Sequence, residues 1–140
     1  MIKKRFPTNR PRQTARSGGA MVEFAMTLPL LVLIMLGTIE ACSMIYLKQN
    51  LQIAAYEAAR AALVMKSSAA VVNTTAKRFL DDRRVRNATV TITPSTFATE
   101  AVGTWITVKI EAPSNDNFGS SLLLFKDLKI SSYCSMMKEY

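Results

Sequence analysis

Side chains that could do chemistry are thinly spread in this 140-residue chain, which has no histidine and only two cysteines, Cys42 and Cys134. Without histidine there is no Cys/His nucleophile pair, and two cysteines so far apart have no metal-ligand spacing. Cys42 falls in an apolar stretch and Cys134 near the C-terminus, so both are expected as unpaired thiols. Neither catalytic residues nor a cofactor nor a metal is expected. What remains are carboxylates at unusual positions. Glu23 and Glu40 bracket an apolar run at its edges, where a carboxylate costs least. An acid at a membrane edge is expensive unless paired, which makes Glu23 a functional candidate. The plainer reading is an interfacial acid that reaches up into the headgroups. The cluster Asp81-Asp82-Arg83-Arg84 reads as a solvated helix end.

The run between the two glutamates sets the class of the protein. Residues 24–39 carry no charge, and apolar character continues through Met44, Ile45, Tyr46 and Leu47. About 20 apolar residues cross a hydrocarbon core, so this stretch is long enough to span with some tilt. Nine of residues 24–39 are Leu, Ile, Val or Phe. At about −0.3 to −0.6 kcal/mol each they supply roughly −3 to −5 kcal/mol of insertion free energy. Pro29 is tolerated there with a slight kink. An ordinary secretory signal fits poorly, because the run is too long and no small-residue cleavage box follows it.

Charge gives orientation and excludes one partner class. The formal charge is +8, yet Lys3, Lys4, Arg5, Arg10, Arg12 and Arg16 all precede the run with no acid among them. The remainder holds 12 basic and 10 acidic residues, close to balance. A phosphate-binding surface for nucleic acid is therefore not expected. Basic residues packed before a span keep that side cytoplasmic, which puts everything after Lys48 on the far side.

Beyond the span, residues 49–66 stay helical, with Leu51, Ala54, Ala55, Ala58, Ala62 and Met65 at helical spacing. Joined to the span they form one helix of about 45 residues, roughly 65 Å at 1.5 Å per residue. The alanine stripe suits either close packing with other helices or cover for the chain's own sheet, and the pattern leaves both open. After a break at Ser67-Ser68, a second helix over residues 69–84 presents Val72, Ala76, Phe79 and Leu80 on one face. The period then changes to two. Ala88, Val90 and Ile92 predict a first strand, Ile106, Val108 and Ile110 a second, and Leu128, Ile130, Ser132, Cys134 and Met136 the inward face of a third. Ser114-Asn115-Asp116-Asn117 reads as a turn. Leu122-Leu123-Leu124-Phe125 follows it, and four bulky apolar residues in a row form a candidate partner patch if some face outward. The fold class is α+β: a long N-terminal helix (transmembrane plus soluble extension), a second helix and a small three-stranded antiparallel sheet. The expected division is a basic leader over residues 1–18, the transmembrane and extension helix over 19–66, and a small α+β domain over 67–140.

The stretch Arg16-Ser17-Gly18-Gly19-Ala20-Met21-Val22-Glu23-Phe24 joins the basic leader to the span. Here the chain resembles the TadE/TadG-like pseudopilins of tight-adherence (Tad) pilus systems. The likeness extends into Leu28-Pro29-Leu30, Gly37-Thr38-Ile39-Glu40 and the alanine-rich helix. The resemblance implies an inner-membrane precursor cut by a prepilin peptidase at Gly18 and Gly19, leaving Glu23 fifth and Phe24 sixth in the mature chain. It implies a minor pilin with no enzyme activity, whose partners are other pilins, pilus-assembly membrane proteins, the peptidase and membrane lipid. It also implies a bacterial inner membrane with the N-terminus cytoplasmic and the C-terminal domain periplasmic. After cleavage the α-amino group of Gly19 would lie one helical turn from Glu23, in the same chain or a neighbour. Two other readings stay open: an anchored periplasmic module that is never cut, and a lipoprotein adaptor acylated at Cys42.

Overall fold

The computed structural model describes residues 18–118 and 127–139. Five elements follow in chain order: α1 (Gly19–Ala62), α2 (Ala69–Asp82), β1 (Thr89–Thr93), β2 (Trp105–Pro113) and β3 (Lys129–Met137). The chain divides into two compact units, with the boundary between Met35 and Leu36, inside α1.

The described part of the first unit is the beginning of α1. Its opening turn is closed by Val22 N, which donates to Gly18 O at 3.2 Å. Pro29 sits inside the helix, where it cannot donate to the carbonyl four residues back. Every described side chain up to Met35 is exposed. The large ones include Met26 at 78 % and Leu33 at 64 %, and in water so continuous a bare apolar surface would be strongly unfavourable.

The second unit is an α+β head with helices on one face of a sheet, as the alternation of periods predicts. The strands run β1-β2-β3, all antiparallel. Val90 faces Ile110 in the first pair, and Val108 faces Cys134 in the second. Ile106, Val108 and Ile110 are fully buried, while Lys109 and Trp105 on the opposite face are exposed. That is the half-buried pattern of a sheet covered on one side. The cover is α1 itself: Leu51, Ala54, Ala55, Ala58 and Ala59 are all at 0 % exposure in the same core as the strands. Ser132 Oγ donates to Lys48 O at 3.2 Å and Gln52 Nε2 to Tyr133 O at 3.2 Å, which fixes helix against β3. Of the two uses left open for the alanine stripe, cover for the chain's own sheet is the one adopted. Small side chains let the helix backbone approach the sheet closely, and Leu47 and Leu51 fill the remaining space.

Local signals account for the ends of the elements. Beyond Ala62 the chain tightens, with Leu63 N donating to Arg60 O at 3.2 Å, and Lys66 takes the left-handed region at φ 63. Met65 therefore leaves the helical stripe and is 71 % exposed. Ser68 caps α2, its hydroxyl accepting from Val71 N at 3.4 Å, a contact typically worth about 1 kcal/mol. Val72, Ala76 and Leu80 are the buried stripe of α2, with Phe79 partly buried beside them. The helix stops in a Schellman motif. Val85 N donates to Leu80 O at 2.8 Å and Arg84 N to Asp81 O at 2.9 Å, with Val85 and Leu80 both buried. Glycine normally fills the left-handed position of that motif, yet here it is Arg84 at φ 57.

The strand ends are pinned by side chains. Gly103, at φ 91, ends the β1–β2 connection with its N–H on Lys138 O at 2.8 Å. Lys138 Nζ donates back to Phe97 O, Ala98 O and Glu100 O, and Phe97 is buried beneath. At the other end Ser114 Oγ accepts from Leu128 N at 3.1 Å. That bond turns the chain just before β3, so Leu128 precedes the strand and is 43 % exposed rather than inward-facing.

Candidate functional site

The residues singled out at the N-terminal junction lie at the start of α1. Gly18 forms the turn before the helix and Gly19 is its first residue. A Cβ built on either would meet nothing within 4 Å, and neither lies in the left-handed region that favours glycine. Among the described residues neither packing nor backbone conformation requires glycine there. Glu23 and Phe24 are exposed, Phe24 at 56 %. With the helix beginning at Gly19, Glu23 is its fifth residue, and the first turn contains no acid. The helix dipole acts over the first turn, so it contributes little to Glu23. Gly19 and Glu23 do share one helix face at i, i+4 spacing, the geometry needed for an amine–carboxylate contact.

The span that follows is the longest apolar helix in the described chain and is long enough to cross a membrane. Only 11 % of its most apolar 18-residue window is covered by the rest of the chain, which separates it from the core helix of a water-soluble domain. Glu40, expected at the edge of the run, is buried at 4 % exposure in the second unit. The candidate patch Leu122-Leu123-Leu124-Phe125 lies outside the described residues.

Both cysteines are free thiols. Cys42 is exposed within α1, with helix on either side of it. Cys134 packs against the edge of the core, and burial pushes its thiol pKa up, which disfavours the thiolate. Among the described residues no group of three or more His, Cys, Asp or Glu could hold a metal ion.

Sequence reasoning missed a polar contact inside the head. Asn50 sits on the buried stripe of α1, at 2 % exposure between Leu47 and Leu51. Its Oδ1 accepts from Arg83 Nη1 at 2.9 Å, and its Nδ2 has no partner. The loop bearing Arg83 is anchored by Asn117, whose Oδ1 accepts from Arg86 N at 2.7 Å and whose Nδ2 donates to Arg86 O at 3.0 Å. The only sequence signal was an asparagine at a stripe position that otherwise takes leucine or alanine.

The apolar, exposed beginning of α1 is a candidate membrane span, and the second unit is a small α+β head. Residues 18–60 match the model of the family described as TadE-like protein. No curated protein and no solved structure matches the chain.

Proposed function

We propose that the protein is a minor pilin or pseudopilin of a Tad-type adhesive pilus. It is made as a single-pass inner-membrane precursor, trimmed by a prepilin peptidase behind Gly18, and contributes to pilus assembly through other pilins and pilus-assembly membrane proteins. The observation that carries this reading is a coincidence of position. The TadE-like match begins at Gly18, and the bare apolar helix begins at Gly19. Among the described residues nothing packs against either glycine at that junction, and their small size is attributed to recognition from outside the chain. A peptidase needs an extended, accessible backbone at the bond it cuts, and glycine removes the side chain that would obstruct it.

On this reading the basic leader holds the N-terminus in the cytoplasm and the head is periplasmic. Cleavage frees the Gly19 amine, and Glu23 on the same helix face supplies its counter-charge, in the same chain or in the next subunit. Pairing removes much of the cost of holding a carboxylate at the membrane edge. Gly18→Leu is expected to leave an uncut precursor, read by N-terminal sequencing, and a correctly trimmed product would rule out the site. Glu23→Ala is expected to insert normally but to leave sheared surface fractions without pili, and normal pili would reduce Glu23 to an interfacial acid.

A further inference from the structure

A pocket of about 350 Å³ opens on the head where the apolar run of α1 ends, with Tyr46, Leu47 and Asn50 on its helix side and Arg83, Arg84 and Phe118 opposite. We infer that this pocket holds the phosphate headgroup of an anionic membrane phospholipid, with Arg83 and Arg84 as its ligands. Arg83 and Arg84 bring two guanidinium groups to one pocket. Arg83 is held in place by Asn50, which spends one guanidinium N–H and leaves the rest of the planar fork for an anion. Asn50 lines the same pocket with a buried Nδ2 that lacks an acceptor, a group that an added oxygen ligand can satisfy. Arg84 stands in the left-handed position of the α2 cap, where glycine would be easier. The position therefore carries a charge at some cost in backbone conformation.

Location selects the lipid over a free anion. The helix wall of the pocket is the last stretch of the apolar run, and the exposed Tyr46 lies on it. A tyrosine at the end of a span marks the headgroup level. A span of about 20 residues that begins near Phe24 also ends there. Lys48, directly after the run, adds a third cation at this level. Basic groups at that depth gain from anionic headgroups by roughly fivefold in affinity each.

The inference rests on α1 crossing the membrane, which alkaline carbonate extraction of membranes reports separately. The direct test uses the full chain in neutral-detergent micelles, examined by native mass spectrometry. The probes are dihexanoyl phosphatidylglycerol, dihexanoyl phosphatidylcholine and inorganic phosphate. Wild type is expected to retain one phosphatidylglycerol in preference to phosphatidylcholine, with inorganic phosphate a poor competitor. Arg84→Gly suits the fold at the cap, so it isolates the charge, and it should lower retention roughly fivefold. Arg83→Gln combined with Arg84→Gly should lower it about twentyfold, and Arg83→Lys should largely preserve it. Retention that is equal in wild type and the double variant would overturn the site, as would equal retention of the two lipids. Phosphate displacing the lipid at equal concentration would overturn the lipid assignment. Loss of a co-purifying membrane protein from the double variant, with lipid retention unchanged, would reassign the pocket to a protein partner.

Discussion

The two stretches of α1 are built for different solvents. Up to Met35 its side chains are large and bare, with Leu30, Leu31, Val32, Leu33 and Ile34 all exposed. From Leu47 to Ala62 the inward side chains are small and covered, five of them alanines. In the first stretch hydrophobicity is spread around the helix, as lipid requires. In the second it is confined to a stripe, with Gln52 and Tyr56 on the open face. One continuous helix thus carries a candidate span and the cover of a sheet, and its composition changes between the two.

That contrast is broken most sharply by truncation. Leu51→Ala is expected to destabilise the head by about 2–5 kcal/mol, because it opens a cavity in a core where Leu51 is fully buried. Leu31→Ala, the same change in the bare stretch, should leave the head's melting temperature unchanged. Equal effects in thermal melts of the two variants would erase the distinction between the stretches. A charge gives the reciprocal result. Leu33→Arg near the middle of the span should cost about 2.5–3.5 kcal/mol of insertion. The measurement is the membrane-bound fraction after carbonate extraction, and an unchanged fraction would contradict a spanning helix.

The smallest expected effect lies on the open face of the sheet. Lys109 holds the Glu111 carboxyl below its usual range through a hydrogen bond and its charge, with Nζ 2.7 Å from Oε1. A carboxylate with a lowered folded pKa stabilises above the ordinary glutamate range, and the effect fades as pH falls through the lowered value. The pair is solvent-exposed, so the contribution is slight. Glu111→Gln should flatten the acid limb of the melting-temperature profile a little and leave neutral pH almost unchanged. A large loss at neutral pH would show that the pair is structural.

Periodicity made much of this legible from the sequence. The uncharged run, the Val72–Ala76–Leu80 stripe and the alternation in β2 each follow from which side chains can face one surface. Features made by single side chains reaching across the chain were not legible. Nothing in local spacing indicates that Arg83 bonds Asn50, 33 positions away, or that Ser114 turns the chain before β3 and so exposes Leu128. The alanine stripe was ambiguous for a related reason, since alanine suits a sheet and a neighbouring helix equally well. At the N-terminal junction the motif indicated Gly18, Gly19, Glu23 and Phe24. The structure adds that no described residue packs against the glycines and that Glu23 lies one turn inside the helix.

The central claim is that the chain is a precursor cut at the start of α1. Intact mass of the protein extracted from membranes of cells that produce the pilus tests it most directly. The account predicts a single species lacking residues 1–18 and carrying no lipid on Cys42. A full-length mass would indicate a permanent anchor instead, and a diacylglyceryl adduct on Cys42 would indicate a lipoprotein; either contradicts the account.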